Sequence, residues 1–372
     1  MRDEVIGWGL VGAGRHAGNR VAPAISAAPN ARLVGVVGRE LAGARAFAER
    51  FGARAYASLA ELLSDPAIRA VYLVTPNDLH APQTLEAAAA GRHVLCEKPL
   101  ALSSADCRTM IAACRAAGVK LGVGFQLRQH EAHRRARELI AGGAVGEPVF
   151  ARAQWAISRR TAREGWWGAP ERAGAGILYG TGVHVIDLLR FVLGREVEAV
   201  AAWTDARPEQ PLDTRVLALL RFGGGLEAVL VAARAFGRPD NDLVVHGPEG
   251  RLTTRDTIWE DLGGSLELAT ESGLERWDFA DAAPGLRLYA DQVERFGRAI
   301  LGEGGPGASG EDGLAAALVC EAIRRSAAEG RTVILSPECW VLGPGRRGRV
   351  VSREEGEDGV DITGAANGAG RG

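Results

Sequence analysis

Between Val5 and about Phe125, short apolar runs alternate with longer segments rich in Ala, Leu, Glu and Arg, the pattern of repeated β-α units around a parallel sheet. It predicts strands at 5–11, 32–37, 70–74, 92–96 and 119–124. Helices are predicted near 18–27, 40–51, 58–64, 81–90 and 104–117, several preceded by Ser, Asp or Pro start signals. After Gln126 longer strands are predicted at 147–157, 196–204, 215–222, 226–235 and 242–246, with turn punctuation at Gly223-Gly224-Gly225 and Gly247-Pro248-Glu249-Gly250. Helices follow at 178–193, 286–301 and 311–329. The fold class read from this is α/β: a dinucleotide-type parallel domain over residues 1–125, then an α+β domain over 126–342 with a mostly antiparallel sheet and helices on one face. Residues 343–372, rich in Gly, Arg and acidic groups with few apolar positions, read as a disordered tail.

Composition narrows the partners. The 372 residues carry a net charge of -2, 47% hydrophobic and 24% charged residues, so no basic field recruits nucleic acid or an anionic membrane, and a small molecule is the expected partner. The five cysteines, at 96, 107, 114, 320 and 339, are odd in number and lack C-x-x-C spacing, which argues against a disulfide framework or a zinc site; no metal is expected. Cys107 and Cys114 are seven apart and read as packing on one helix face. The N-terminal apolar run is short and broken by glycine, and no later run reaches about 18 apolar residues, so a cytoplasmic location is expected.

Chemistry first shows at Gly12-Ala13-Gly14-Arg15-His16-Ala17, a G-x-G-x-x-A directly after the first strand and opening a helix. Gly12 permits the tight turn, Gly14 lets backbone approach a pyrophosphate, and Ala17 lets helix pack on strand, while the helix N-terminus offers N–H groups to phosphate. The second strand ends in Gly38-Arg39 rather than in the carboxylate that usually holds a ribose 2′-hydroxyl. Arg39 is therefore the candidate for a 2′-phosphate, and NADP is the preferred cofactor, with NAD as the alternative and Glu40 beside it.

Of the 44 basic residues only Lys98 and Lys120 are lysines. An amine can lose its proton where guanidinium effectively never does, so Lys98, at a strand end above the expected ligand edge, is the candidate acid/base; Lys120 reads as the solvated start of a strand.

These residues bring a family into view. The stretches Thr75-Pro76-Asn77-Asp78-Leu79-His80, Ala90-Gly91-Arg92-His93-Val94-Leu95-Cys96-Glu97-Lys98-Pro99, Gly182-Val183-His184-Val185-Ile186-Asp187 and Ser309-Gly310-Glu311-Asp312-Gly313, with the N-terminal turn, make the chain resemble the glucose-fructose oxidoreductase / inositol dehydrogenase / rhizopine-catabolism (Gfo/Idh/MocA) family from about Val5 to Leu335. The resemblance implies a Rossmann domain followed by an open-faced sheet domain whose outer surface makes homodimers or homotetramers. It implies that Thr75, Pro76, Asn77, His80, Glu97 and Lys98 line the nicotinamide half of the cofactor site, with Gln126 and Arg128 close by; Arg15 and His16 of the glycine turn, like Gln126, are candidate cofactor-binding residues. It also implies that Lys98 bonds the reacting oxygen during hydride transfer, its pKa lowered toward roughly 7–8 by partial desolvation and a cationic nicotinamide. His184 would share the proton.

One position departs from the family pattern. Where D-x-x-x-H places Asp one turn before the histidine, this chain has Gly180. Tyr179 and Thr181 are the candidate replacements, with Tyr179 carried as a catalytic candidate although it is offset by about 100° around a helix. Asp187 would either orient His184 or form a salt bridge, and Trp166-Trp167 would either stack on a sugar or pack under the sheet. The expected activity is NAD(P)-dependent interconversion of a secondary alcohol and a ketone on a sugar, cyclitol or sugar derivative. A non-catalytic dinucleotide-sensing regulator and a reductase of an imine or non-sugar carbonyl remain as alternatives.

Overall fold

A computed structural model describes residues 4–158, 165–259, 263–280 and 285–336. The tail predicted over 343–372 and Cys339 lie outside them. The first half holds β1 (Ile6–Val11), β2 (Ala31–Val37), β3 (Arg54–Tyr56), β4 (Ala70–Leu73), β5 (His93–Cys96) and β6 (Leu121–Val123) in one sheet of order β3-β2-β1-β4-β5-β6, with every pairing parallel. Its connections carry α1 (Ala22–Ala27), α2 (Leu41–Arg50), α3 (Leu59–Ser64), α4 (His80–Ala89) and α5 (Ser104–Ala116). Ser58 and Ser103 accept hydrogen bonds from the amides of Glu61 and Asp106, so two of the start signals are true helix caps. Strand order reverses between β1 and β4, and in such sheets ligands sit in the crevice over the strand ends at that reversal.

The second half contributes β7 (Phe150–Ile157), β8 (Val197–Thr204), β9 (Arg215–Phe222), β10 (Glu227–Arg234), β11 (Leu243–Gly247), β12 (Gly250–Arg255), β13 (Gly264–Thr270), β14 (Gly273–Phe279) and β15 (Val333–Ile334). They form one nine-stranded sheet, order β14-β13-β12-β11-β7-β10-β9-β8-β15, antiparallel except where β7 meets β10. Helices α6 (Glu131–Ala141), α7 (Pro170–Ala173), α8 (Val183–Leu193), α9 (Arg287–Ile300) and α10 (Gly310–Glu329) complete the chain. On α10, Ser309 and Asp312 form a reciprocal capping box.

Five strands and two helices, α6 and the single-turn α7, escaped the sequence pattern. β3 has only three residues, and β14 has no buried position, so neither shows an alternation to read. β12 and β13 extend the sheet past the turn at 247–250, where Gly247 pairs with Gly250, and β15 adds two residues at the far edge. α6 buries only Ala132, His133, Ala136 and Ile140, a stripe too small and too polar to register as apolar. The helix predicted from Leu178 begins with a wide turn, Leu178–Gly182, before α8 proper. By length and composition the segment Pro170–Leu193 would cross a membrane, but 89% of its most apolar window is buried inside the protein, so it is a core helix.

α8 and α10 cover one face of the large sheet. On the other, β9 alternates buried Val216, Ala218, Leu220 and Phe222 with exposed Arg215, Leu217, Leu219 and Arg221, which leaves that face open. α9 returns to the first sheet, where Val293 and Phe296 pack with Ile6, Trp8 and Tyr72.

Candidate active site

A cavity of about 1160 Å³ opens at the strand-order reversal. One wall is the glycine turn, and the opposite wall comes from the large sheet and the start of the 178–193 helix.

The turn fits a dinucleotide. Gly12 has φ +111°, and a Cβ there would stand 2.6 Å from the Val74 carbonyl oxygen, so only glycine allows the chain to double back over β4. A Cβ on Gly14 would meet nothing within 4 Å, and Gly14, Arg15, His16 and Ala17 border the cavity: bare backbone faces open space, as a pyrophosphate requires. Thr75, Asn77, Glu97, Lys98 and Gln126 border the same cavity. Arg39 stands exposed just past the end of β2, outside this lining.

Glu97 is buried and accepts a hydrogen bond from the Tyr72 hydroxyl at 2.9 Å, while His16 Nε2 lies 3.5 Å away. Burial pushes its carboxyl up, but His16, Lys98 and Tyr72 together outweigh that and hold it below the usual range, as a carboxylate. Lys98 reaches across the cavity floor, its Nζ donating to the Gly180 carbonyl at 3.0 Å. The backbone oxygen of the residue that departs from the family pattern is thus an acceptor for the lysine.

His184 shares the cavity with Lys98. Its ring lies 5.0 Å from Trp155 and 6.0 Å from Phe125, and its Nδ1 is buried without a hydrogen-bond partner among the described residues. Burial, and then the charges of Lys98 and His16, push its pKa well below the ordinary value, so the imidazole is neutral. A neutral imidazole offers one donor and one acceptor, which suits a hydroxyl or carbonyl.

Several expectations need correction. Tyr179 does not enter the cavity: its ring is buried on the opposite side of the wide turn, and its hydroxyl donates to the Leu102 carbonyl at 3.0 Å. Thr181 borders the cavity, but its hydroxyl donates to the Trp155 carbonyl at 3.3 Å. His80 lies wholly buried behind the cofactor strand ends, its ring nitrogens 2.8 Å and 3.0 Å from the carbonyls of Pro99 and Thr75, and neither it nor Pro76 borders the cavity. His80 joins the loop after β4 to the Lys98-Pro99 corner. Asp187 leaves His184 alone and takes a two-pronged hydrogen bond from Arg128 at 2.8 Å and 2.6 Å, while the same guanidinium reaches Asp312. Arg128 therefore locks α8 to α10 rather than facing a ligand. Trp166 and Trp167, stacked at 4.1 Å, border the cavity instead of packing under the sheet.

The structure adds Trp155, Arg234, Trp259 and Tyr289 to the walls. Tyr289, on α9, meets His16 edge-on at 5.5 Å.

A family model described as "Oxidoreductase family, NAD-binding Rossmann fold" matches residues 6–125, and the GFO/IDH/MocA C-terminal domain model matches residues 133–253. The chain belongs to the Gfo/Idh/MocA oxidoreductase family. Among its relatives, the 1,5-anhydro-D-fructose reductase of Ensifer adhaerens is 36% identical over 327 residues, covering 87% of this chain and 97% of that protein. Two solved structures share the fold. Levoglucosan dehydrogenase in complex with NADH and levoglucosan has a TM-score of 0.80 at 25% identity, covering 89% of this chain and 99% of the other. A 3-ketoreductase from Actinomadura kijaniata in complex with NADP and TDP-benzene has a TM-score of 0.77 at 26% identity, covering 87% and 98%. The protein is an oxidoreductase with a nicotinamide-dinucleotide site, and the expectation of a non-catalytic regulator is set aside.

Proposed function

We propose that the protein is an NADP-preferring dehydrogenase or reductase that interconverts a secondary alcohol and a ketone on a sugar, cyclitol or sugar derivative, with Lys98 as general acid/base. The observation that carries this reading is the Lys98 ammonium on the floor of the cavity, bonded to the Gly180 carbonyl at 3.0 Å and sharing the chamber with a neutral His184. When bound, the dinucleotide supplies or takes up the hydride. The protein must then move one proton at the same carbon's oxygen, and Lys98 is a cavity side chain with donors to bond that oxygen and a proton to exchange with it. A carbonyl at position 180 aims the amine without adding negative charge to the site. His184, held neutral by burial, bonds a substrate hydroxyl or relays the proton.

The sugar class is supported by two of the relatives named above, the 1,5-anhydro-D-fructose reductase and the levoglucosan dehydrogenase, and by indole walls suited to the apolar face of a sugar ring. Because the two structural neighbours hold NADH in one case and NADP in the other, the cofactor preference rests on this chain's own Arg39 and on the absence of a carboxylate at the end of β2.

Oligomers form, in the same reading, through the open face of the large sheet. Trp203 on β8 is 63% exposed and pairs with Leu217 on β9, which is 49% exposed and faces Val231 on β10; Leu219, 50% exposed, faces Val229. Such an apolar row on a sheet face suits a second copy.

The test is Lys98→Ala assayed on a panel of sugars and inositols. Turnover falls roughly 10²–10⁴-fold while dinucleotide affinity, read by fluorescence titration, holds within a few-fold. Near-full turnover in a variant that still binds dinucleotide would overturn the assignment.

A further inference from the structure

The main cavity does not end at the indole wall. A second chamber of about 410 Å³ adjoins it, and the two share Ile157, Ser158 and Trp259 as common walls. Pro239, Asn241 and Asp256 also line it. A volume of this size is within the range that holds a small ligand. The chain of rings leading to it is continuous: His184 lies 5.0 Å from Trp155, and Trp155 lies 6.1 Å from Trp259. Trp259 remains 42% exposed, an open indole face on the shared wall where the protein has covered most of its large apolar side chains. Asn241 is already committed, its amide paired both ways with the backbone of Ala156, so it shapes the wall without needing a ligand. Asp256 contributes a carboxylate to the lining of the chamber.

An apolar aromatic platform, a hydroxyl at Ser158 and a carboxylate in the same lining are what a sugar ring needs: one face of C–H groups to stack and a rim of hydroxyls to donate. We propose that the substrate carries a second sugar ring beyond the one that reacts, seated against Trp259 in this chamber, so that the enzyme acts on a disaccharide rather than on a free monosaccharide. This rests on the sugar-oxidoreductase reading above, and it adds the size of the substrate and the residue that measures it.

The test is calorimetric titration of the dinucleotide-loaded enzyme with D-glucose, maltose and cellobiose, for the wild type, Trp259→Ala and Trp259→Phe, followed by turnover of the same sugars. At least one disaccharide binds the wild type tenfold or more tightly than glucose; Trp259→Ala collapses that ratio, and Trp259→Phe restores part of it. Glucose binding as tightly as both disaccharides, or a ratio that survives Trp259→Ala, overturns the two-ring reading. Disaccharide binding with no change in nicotinamide absorbance on any sugar would sink the redox assignment and leave the chamber's role standing. Turnover of glucose with no disaccharide advantage would do the reverse.

Discussion

Tyr179 and Gly180 are neighbours in the chain, yet only the second presents an atom to Lys98, because each helical residue turns roughly 100° from the last. Tyr179→Phe should therefore leave turnover within about twofold of the parent. It should cost about 0.5–1.5 kcal/mol of stability, because the Leu102 carbonyl loses its partner, an effect measurable by denaturant unfolding. A large loss of turnover with stability unchanged would return Tyr179 to the chemistry. Lys98, Glu97, His184 and the glycine turn could be read from the sequence because each sits in a contiguous motif whose residue types follow from its job. Trp155, Arg234 and Trp259 could not. They come from strands and loops of a mixed sheet, where no spacing along the chain marks which side chains meet over one crevice.

At the scale of elements, strands and helices with a full apolar stripe were legible, while those with a sparse or polar one were not. α6 shows why. Its buried face includes His133, whose Nδ1 lies 2.8 Å from the Leu127 carbonyl and whose Nε2 lies 2.9 Å from the Thr257 hydroxyl, tying the helix both to the turn that carries Gln126 and to the loop that follows β12. Burial, with a smaller push from His130, drives the pKa of His133 down to about 3, and burial also lowers His80 and His184. In the unfolded chain these rings titrate near ~6.5. Above that pH both states are neutral and the three histidines cost nothing. Below it the unfolded state binds protons that the folded state refuses, so each ring removes on the order of 1.4 kcal/mol per pH unit until its folded value is reached. Melting temperature should thus be flat from pH 8 to 7 and fall steeply below about 6.5, and His133→Gln should flatten that fall. A melting temperature unchanged down to pH 5 would contradict the buried neutral state.

Across the whole molecule, one sheet face is unaccounted for by the fold itself. Its exposed row of Trp203, Leu217 and Leu219 predicts that Leu217→Glu, which puts a charge opposite Trp203, converts a dimer or tetramer to monomer in sedimentation experiments while leaving helix and strand content unaltered by circular dichroism. A wild type that sediments as a monomer would remove the basis for this pairing.

The return of α9 has a consequence of another kind. The Gln292 amide donates to the Tyr72 hydroxyl at 2.8 Å, Tyr72 in turn donates to Glu97, and Phe296 lies against Trp8 at 5.8 Å. The floor beneath the cofactor turn is thus completed by a segment whose Gln292 lies 220 residues downstream of Tyr72, and the two halves are interleaved rather than strung in series. Recombination that grafts the first 125 residues onto another partner would have to carry a matching late helix with it. Without one, the graft would bare an aromatic surface and leave Glu97 short of its support.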